Sequence, residues 1–351
     1  MSLEWCAGSV FRLDEKSKDA AEKRQAILTK PAGSLGVLET LAIQFSAWQG
    51  VIKPELENVY ISIFAADHGV ADEGVSAFPQ VVTGEMVKNF VRGGAAISVL
   101  AKANGAALEI IDVGVKNLPK LDNVISACVA NGTQNIAHHD AMTKEQLQQA
   151  FQVGKEAAER AKANHAQLFI GGEMGIANTT SATAVSCQLL GFLNVEEMTG
   201  AGTGLDKVGI RHKSKVISSV IARYAQKYEQ DKNPLTVVCV MGGFEIAALA
   251  ASYIRCAQLG VPVLVDGFIT TTAALLAIKI NKDVGQWMLF SHCSAEVGHT
   301  KILAAIKVKP LLNLEMRLGE ASGAATVLPI IKNALALHNN MATFAEAEVS
   351  N

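Results

Sequence analysis

The chain has 351 residues, of which half are hydrophobic and 18% are charged, and its formal net charge is -2. This length and composition provide for one large domain or two unequal ones around a sizeable buried core. The nearly balanced charge creates no field that would attract a polyanion, so nucleic acid is not expected as the main partner.

The six cysteines form no CxxC pair, which favours free thiols in a reducing compartment over a disulfide framework. The N-terminus lacks the apolar core of a signal peptide. The longest apolar stretch, residues 261–278, is interrupted by Pro262, Asp266 and Gly267. It predicts a strand, a turn and a helix rather than a membrane span. We therefore expect a soluble, cytoplasmic protein.

Two helices are predicted before the first strand. Residues 14–28 form an amphipathic pattern rich in Lys, Glu and Ala, and residues 37–48 form a second helical pattern after the loop 29–36. Because neither helix has a strand partner in sequence, we expect both to pack apart from the sheet, with the C-terminal tail.

From residue 59 onward, apolar runs of strand length alternate with longer helical stretches. One of these helices, over 144–164, begins with a capping box formed by Thr143 and Gln146. Continuous apolar strands that alternate with helices favour an α/β fold with a mostly parallel sheet covered on both faces. The predicted strands are 59–65, 108–113, 168–170, 236–241, 261–265 and 287–290.

Polar residues, most of them beside glycine, follow five of these runs. In open α/β sheets, ligands bind outside the carboxyl ends of the strands, and glycine lets a ligand approach backbone N–H groups. The sequence therefore predicts a binding site at this edge of the sheet. The segments are Ala-Asp-His-Gly at 66–69, Gly-Gly-Glu-Met-Gly at 171–175, Gly-Gly-Phe-Glu at 242–245, Asp-Gly at 266–267 and Ser-His at 291–292.

The first of these segments, with the loop that follows it, offers two further candidate pairs. Asp67 and His68 could act as a base or a metal pair, but the histidines show no metal-ligand spacing such as H-E-x-x-H, so we expect no metal. Phe78 and Gln80 could stack on and hydrogen-bond an aromatic ligand; the alternative is an ordinary loop with one buried phenylalanine. A G-x-S-x-G elbow is absent, so nucleophilic serine chemistry is not expected.

Glu173 precedes an amide and two hydroxyls in the segment 172–180, Gly-Glu-Met-Gly-Ile-Ala-Asn-Thr-Thr. These groups could bind the hydroxyls of a sugar. Asn178 and Thr179 are also good N-cap residues, so one of them could instead begin the next helix.

A glycine-rich loop over residues 199–206, Thr-Gly-Ala-Gly-Thr-Gly-Leu-Asp, could form an anion nest of exposed N–H groups. Phosphate is the natural guest, and Lys213 could add a positive charge. The loop lacks the Gly-Lys-Ser/Thr ending of a Walker loop and the strand-adjacent spacing of a dinucleotide fingerprint. A plain tight turn is the alternative.

Glu320 is the candidate catalytic base. It follows Gly319 and precedes small residues, so we expect it to be packed among apolar groups near a ligand. Loss of solvent raises the pKa of a carboxyl and makes it a better base near neutral pH. The alternative is a place in the first turn of the following helix, where acids favour the helix dipole.

Taken together, these segments resemble the nicotinate-nucleotide–dimethylbenzimidazole phosphoribosyltransferase family, which makes the lower-ligand nucleotide of cobalamin. The resemblance extends in order over nearly the whole chain. The matching segments are Lys-Pro-Ala-Gly-Ser-Leu-Gly at 30–36, Ala-Asp-His-Gly-Val at 66–70, Pro-Gln at 79–80, the segments 172–180 and 242–247, Val-Asp-Gly-Phe at 265–268, Ser-His at 291–292, Met-Arg-Leu-Gly-Glu at 316–320 and the tail 338–344.

The resemblance implies transfer of phosphoribose from nicotinate mononucleotide to 5,6-dimethylbenzimidazole, with inversion and without a cofactor or metal. Glu320 matches the family's base and Glu173 its second acid, near the ribose. The other residues carried over bind substrate: Gly202, Gly204 and Lys213 on the 5′-phosphate, Phe78 and Gln80 at the benzimidazole, and Gly175, Asn178, Thr179, Asp266, Ser291 and Leu318 elsewhere in the site.

The resemblance also implies a homodimer and two domains. A large Rossmann-like α/β domain would comprise residues 56–334. A small helical domain would combine residues 1–55 and 335–351, which agrees with the early helices that lack a strand partner.

The chain departs from the family's pattern at Ala32, Ala177, Ala201 and Ala321, where Pro, Gly, Arg or another residue, and Gly are expected. Ala201 leaves the phosphate contacts open, and Ala177 and Ala321 narrow the space near the ligands.

Two other functions compete with this one. The first is a nucleotide-dependent dehydrogenase, but the dinucleotide fingerprint that it would need is absent. The second is a non-catalytic nucleotide-binding module, for which the residues around Glu320 would be dispensable.

Overall fold

The computed structural model describes residues 2–192, 194–229 and 231–350, and six parallel strands form its central sheet. The strands are β1 Val59–Ala66, β2 Ala107–Gly114, β3 Val124–Ser126, β4 Leu168–Met174, β5 Val263–Val265 and β6 Met288–Phe290. Their order, β3-β2-β1-β4-β5-β6, is that of a doubly wound sheet. The chain adds strands outward in one direction from β1 to β3 and then in the opposite direction from β4 to β6, so the strand order reverses between β1 and β4. The predicted mostly parallel α/β sheet is confirmed; β3 was not predicted.

Twelve α-helices surround or extend the sheet in the described part of the chain. The capping box of Thr143 and Gln146 is confirmed at the start of α5, and Asp14 caps α1 by accepting from the Ser17 N–H. The helices are α1 Glu15–Ile27, α2 Val37–Gln49, α3 Val81–Arg92, α4 Ala96–Asn104, α5 Lys144–Ala163, α6 Asn178–Leu190, α7 Lys207–Tyr228, α8 Pro234–Met241, α9 Phe244–Leu259, α10 Phe268–Ile280, α11 Val297–Ala305 and α12 Ser322–Asn340.

The strand predicted over 236–241 is wrong, because these residues belong to α8. The Asn233 side chain accepts from the Leu235 N–H, and Pro234 occupies the first helical position, where its missing N–H costs nothing. A short, continuously apolar run does not distinguish a buried strand from a buried helix, so the Asn-Pro start was the informative signal. Gly242 and Gly243 therefore follow a helix and not a strand.

Both faces of the sheet are covered, as two neighbouring glycines of β4 illustrate. A Cβ on Gly171 would lie 2.5 Å from the Leu249 side chain of α9, on one face. A Cβ on Gly172 would lie 2.8 Å from the Cβ of Ala321, just before α12, on the other. Successive strand residues point to opposite faces, so these two positions leave room for elements on each side.

The early helices pack with the C-terminal tail, as expected. Leu28 and Thr343 form an antiparallel bridge, the Thr29 N–H donates to the Ala342 carbonyl at 3.0 Å, and the Arg24 side chain donates to three carbonyls between 338 and 341. Helix α12 runs without interruption through residue 335, where the small domain was predicted to begin. The division into two domains stays a prediction.

None of the helices in the described residues combines the length and the apolar composition that a bilayer span requires.

Candidate active site

A cavity of about 340 Å³ lies at the carboxyl ends of β4, β5 and β6, beside the point where the strand order reverses. This is where open α/β sheets bind ligands. Nine of the thirteen predicted site residues line it: Phe78, Glu173, Gly175, Asn178, Thr179, Gly202, Asp266, Leu318 and Glu320. The other four, Gln80, Gly204, Lys213 and Ser291, do not line this cavity.

Three nearly buried carboxyl groups meet at the floor of the cavity. Glu173 lies near the end of β4, Asp266 follows β5, and Glu320 precedes α12; they are 5%, 1% and 6% exposed. Burial, together with the negative charges of Glu245 and Asp266, raises the pKa of Glu173 to about 8. Burial likewise raises the pKa of Asp266 and of Glu320 to about 7. The floor can therefore exchange protons near neutral pH and would favour a cationic guest.

Glu320 lies in an unusual stretch of backbone. Gly319, Glu320 and Ala321 have φ values of 86°, 60° and 61°, so three successive residues are left-handed. For the two non-glycine residues this costs roughly 1–2 kcal/mol each. The turn ends before α12, so Glu320 is not in the first turn of that helix, and the alternative interpretation is wrong. Strain of this kind is characteristic of functional sites.

Asp266 helps to hold this turn. Its Oδ1 accepts from the Ala324 N–H at 2.7 Å, so it caps α12 from the end of β5. Helix α12 has no cap of its own, since its N-cap residue is Ala321. The Ser322 hydroxyl donates to the Gly319 carbonyl at 2.6 Å. The Glu320 carboxylate has no hydrogen-bond partner among the described residues, which leaves it available to a ligand.

The missing side chain of Gly319 lets the carboxyl of Glu173 lie against the backbone next to Glu320. A Cβ at this position would collide with Oε1 of Glu173. The other oxygen of Glu173 accepts from the Asn178 amide. The carboxyl of Glu173 is thus held by Asn178 on one side and packed against Gly319 on the other, beside the segment that carries Glu320.

Neither Asn178 nor Thr179 caps α6, so the N-cap interpretation is wrong. The N-cap residue is Ala177, whose φ of 73° is left-handed and which offers no side-chain acceptor. This turn directs the next two side chains inward: Asn178 donates to Glu173, and the Thr179 hydroxyl accepts from the Lys213 ammonium at 2.6 Å.

The glycine-rich loop is held by charged residues on two sides. The Gly202 N–H donates to Oε1 of Glu296 at 2.9 Å, and its carbonyl accepts from Nη1 of Arg317 at 3.1 Å. Both charged residues line the cavity, as does Ser294. Sequence reasoning missed all three; the only signal was that Arg317 stands in the Met-Arg-Leu-Gly-Glu segment.

Lys213 lies beneath this loop. Its side chain is fully buried, and its ammonium also faces the Gly200 carbonyl at 3.5 Å. Burial lowers the pKa of Lys213 to about 8, while the charge of Glu296 acts in the opposite direction.

Two other predicted residues point away from the cavity. The Gln80 amide donates to the His68 carbonyl at 2.9 Å, and the Ser291 hydroxyl donates to the Asp266 carbonyl at 3.0 Å. Ser291 thereby supports Asp266, which lines the cavity, whereas Gln80 holds His68, which does not. Gly204 belongs to the turn of the glycine loop and has a φ of 116°.

Both ring nitrogens of His68 have hydrogen-bond partners within the protein. Its Nε2 lies 2.8 Å from Oε1 of Glu245 and its Nδ1 lies 3.0 Å from the Ser181 hydroxyl, and all three side chains are buried. With both ring nitrogens engaged, His68 has none left for a metal, and Asp67 accepts from the Lys116 N–H at 2.8 Å.

The side of the cavity near α3 is apolar. Phe78 is 52% exposed at the mouth, so the alternative of one buried phenylalanine in an ordinary loop is wrong. Val82 and Met86 project from α3, and Leu318 faces the same space. A flat hydrophobic ring would fit this wall.

The buried acid floor has a measurable cost to stability. Because the pKa of Glu320 rises from 4.5 to about 7, the native state holds this proton more tightly than the unfolded chain. The associated stability is fully present below pH 4.5 and is lost as the pH rises through 7, about 3 kcal/mol in all. Glu320→Gln should therefore be more stable than the parent at pH 8.5, by up to that amount, and similar at pH 4.5. Urea denaturation at the two pH values measures this; an equal difference at both would contradict it.

Comparison with known proteins finds one family over nearly the whole chain. A family profile described as Phosphoribosyltransferase matches residues 10–349. A protein of Xanthomonas campestris pv. campestris named nicotinate-nucleotide–dimethylbenzimidazole phosphoribosyltransferase is 52% identical over 351 residues, which cover 100% of this chain and 99% of the relative. A Pseudomonas putida protein of the same name is 50% identical, with the same coverage of both chains.

Solved structures agree. The crystal structure of CobT from Thermus thermophilus superimposes with a TM-score of 0.90 at 41% sequence identity, over 96% of this chain and 99% of that one. A second Thermus thermophilus structure, titled as the nicotinate-nucleotide–dimethylbenzimidazole phosphoribosyltransferase, gives a TM-score of 0.89 at 40% identity, over 97% of this chain and 100% of that one.

Proposed function

This chain belongs to the nicotinate-nucleotide–dimethylbenzimidazole phosphoribosyltransferase family, and we propose on that basis that it transfers phosphoribose from nicotinate mononucleotide to 5,6-dimethylbenzimidazole. The products would be α-ribazole 5′-phosphate, for the nucleotide loop of cobalamin, and nicotinate. The observation that carries the proposal is the cavity itself: a floor of three buried acids, an apolar wall, and a cation with a glycine loop at its rim.

The chemistry of the nucleotide suits an acidic floor. Its anomeric carbon is bonded to a pyridinium nitrogen, and when this bond breaks the electron pair returns to the ring, which leaves as neutral-ring nicotinate. Positive charge meanwhile spreads over the ribose. Carboxylates fixed nearby stabilise that charge, by the electrostatics used in glycoside hydrolysis. No separate acid is needed to protonate the leaving group.

Glu320 would take the proton that the reaction releases. One benzimidazole nitrogen attacks the anomeric carbon and forms the new C–N bond, and the other nitrogen then carries an N–H that has become acidic. The Glu320 carboxylate, which has no partner in the protein among the described residues, accepts this proton. Attack from the face opposite the leaving ring would invert the β configuration to α.

Glu173 and the apolar wall would orient the reactants. The carboxyl of Glu173, fixed by Asn178, would face the ribose hydroxyls, and its pKa of about 8 leaves it able to donate as well as accept a hydrogen bond. Phe78, Met86 and Leu318 would pack against the benzimidazole ring. Holding both rings in line supplies the orientation part of the rate. A homodimer and a cytoplasmic location remain further proposals.

Incubation of the purified chain with both substrates, without added metal, tests the function. Chromatography should show α-ribazole 5′-phosphate and nicotinate in equal amounts, and no product when dimethylbenzimidazole is omitted. Nicotinate released without a ribosylated base would indicate hydrolysis, and an unchanged mixture would contradict the proposal.

The rate should depend on pH through Glu320. Because the base must be ionised and its pKa is raised to about 7, kcat/KM for the mononucleotide should fall as the pH decreases below 7 and approach a tenfold loss per pH unit. The measurement varies the mononucleotide at saturating dimethylbenzimidazole from pH 5 to 9. Phe78→Leu, which removes no titratable group, should keep the same acidic limb. A profile that stays flat from pH 5 to 8 would contradict the assignment.

A further inference from the structure

A second cavity of about 370 Å³ lies on the far side of helix α3 from the active-site cavity, and the two cavities share no lining residue. Its lining comes from the end of β1, the first turns of α3 and residues 116–119 after β2. Helix α3 separates the two cavities because its side chains follow the helical period. Val82 and Met86 line the active-site cavity, whereas positions 81, 84, 85 and 88, which are spaced by three and four residues, line the second one.

Asp67, which the proposed reaction does not use, forms the closed end of the second cavity. It is 1% exposed, whereas the other lining residues are half-buried or exposed. Its Oδ2 accepts from the Lys116 N–H at 2.8 Å, and its Oδ1 has no hydrogen-bond partner among the described residues. Burial raises the pKa of Asp67, although the Lys116 N–H and the Thr83 hydroxyl act in the opposite direction. A buried carboxylate with an unpaired oxygen is costly, so a donor or a cation that reached it would be bound favourably.

The two walls of the second cavity are held in place by the fold. The Gln80 amide donates to the His68 carbonyl at 2.9 Å and so ties the start of α3 to the segment that carries Asp67. On the opposite wall, a Cβ added to Gly84 would lie 3.6 Å from Cδ1 of Leu118, so α3 and the loop after β2 approach to ordinary contact distance. The shape of the second cavity therefore exists before any ligand binds, which reduces the ordering cost of binding.

Charges of both signs line the second cavity without being paired. Glu85 and Lys88 belong to α3 and Lys116 to the loop after β2, and none of the three forms an ion pair within the described part of the chain. Together with Asp67, the lining has two acids and two cations. A simple anion would be repelled by the acids and a simple cation by the lysines, whereas a zwitterion can pair with both.

The rest of the lining is largely apolar. Val81 is 63% exposed, and Leu118 and Pro119 lie on the loop after β2. A ligand that carries an aliphatic group beside its two charges would cover this apolar surface. The volume of about 370 Å³ is in the range of small-molecule sites.

We propose that the second cavity binds a free apolar α-amino acid. Its ammonium contacts the carboxylates of Asp67 and Glu85, its carboxylate contacts the ammonium groups of Lys88 and Lys116, and its side chain packs on the apolar surface. The inference does not depend on the proposed function, because it uses none of the residues that line the active-site cavity.

Calorimetric titration of the purified chain with L-leucine, in the absence of nucleotide, tests the inference. One molecule should bind per chain. Two analogues separate the charges: 4-methylpentanoate lacks the ammonium and L-leucinamide lacks the carboxylate, and each should bind at least roughly 10-fold more weakly, the worth of a charge-assisted hydrogen bond. Lys116→Met should weaken L-leucine by about 2- to 5-fold, the range for an exposed ion pair, and leave L-leucinamide unchanged.

Two control variants locate the binding. Lys102→Met removes an exposed lysine that lines neither cavity, and Phe78→Leu alters the active-site cavity; both should bind L-leucine like the parent. Asp67→Asn should abolish binding, and if this variant does not fold, the comparison of L-leucine with 4-methylpentanoate on the parent protein tests the same contact. The inference is overturned by no heat of binding at about 10 mM L-leucine, by equal binding of 4-methylpentanoate, by unchanged binding in Lys116→Met, or by a loss confined to Phe78→Leu.

Discussion

Replacing Glu320 by glutamine should lower kcat by about 10²- to 10⁴-fold, the usual contribution of a positioned general base. Glutamine keeps the size of the side chain and its capacity to hydrogen-bond, but it cannot accept the benzimidazole proton. Since the Glu320 carboxylate makes no hydrogen bond to the described part of the protein, the fold loses little when its charge is removed. Steady-state turnover with both substrates saturating measures the effect, and circular dichroism shows whether the variant is folded. Glu320→Ala should also lose most of the turnover.

Glu315 provides a matched control for this substitution. It is an exposed glutamate five positions upstream, its φ of 57° is left-handed like that of Glu320, and it does not line the cavity. Glu315→Gln should retain the parent's kcat within a factor of about two, since surface changes away from a site rarely have larger effects. Full turnover in Glu320→Gln would exclude Glu320 as the base, whatever the control shows.

Replacing Gly154 by alanine should destabilise the fold by about 3 kcal/mol or more, through overpacking against backbone. Gly154 lies in α5 where that helix meets α9, and an added Cβ would overlap the Ala248 carbonyl oxygen and lie 2.7 Å from the carbonyl carbon. Both partners are helix backbone, so no side chain can turn aside, and α5 would have to move away from α9. The free energy of unfolding in urea measures the loss.

Gly84, near the start of α3, is the control for Gly154. A Cβ there would meet only side chains, at 3.6 and 3.7 Å, which is ordinary contact. Gly84→Ala should therefore be neutral or stabilise the protein by up to about 1 kcal/mol, because alanine restricts the unfolded chain and favours a helix. A similar loss of stability in the two variants would mean that the close approach of α5 and α9 is not the cause.

The sheet could be predicted largely because its strands have clear signals along their length and at their ends. Residues 59–66 are an apolar run with a single serine, Ser62, and Asp-His-Gly follows it; the order of runs and helices leaves few parallel arrangements. Residues 236–241 show the limit. Their composition suits a buried strand or a buried helix equally, and Asn233 and Pro234 decide in favour of the helix by capping it.

The sequence predicted the site residues whose type and segment indicate a role. It did not predict in which direction each side chain points. Glu173 and Glu320 both reach the cavity floor. Lys213 does not, because the fold inserts Thr179 and Gly202 between its ammonium and the cavity, and no local sequence signal reports this contact across 34 positions. Arg317 could be identified only as a member of the Met-Arg-Leu-Gly-Glu segment, because no neighbouring residue indicates that its side chain points towards Gly202.

Two departures from the family's pattern acquire a physical meaning in the structure. Ala177 and Ala321, where glycine is expected, both adopt left-handed backbone, at φ 73° and 61°. Glycine would adopt this conformation without steric cost, so the pattern's glycine reflects the backbone as well as the space beside the ligand. The methyl group of Ala321 also faces position 172, where an added Cβ would lie 2.8 Å from it and 2.4 Å from Cδ1 of Ile63.

The position of Glu320 along the chain has a consequence for the order of assembly during synthesis. All six strands, Glu173 and Asp266 precede it, so the sheet and two of the three floor acids are synthesised before the proposed proton acceptor. A nascent chain at that stage has neither the left-handed turn nor the helix that Asp266 caps. Catalytic competence would thus be acquired in a single late step, when α12 docks.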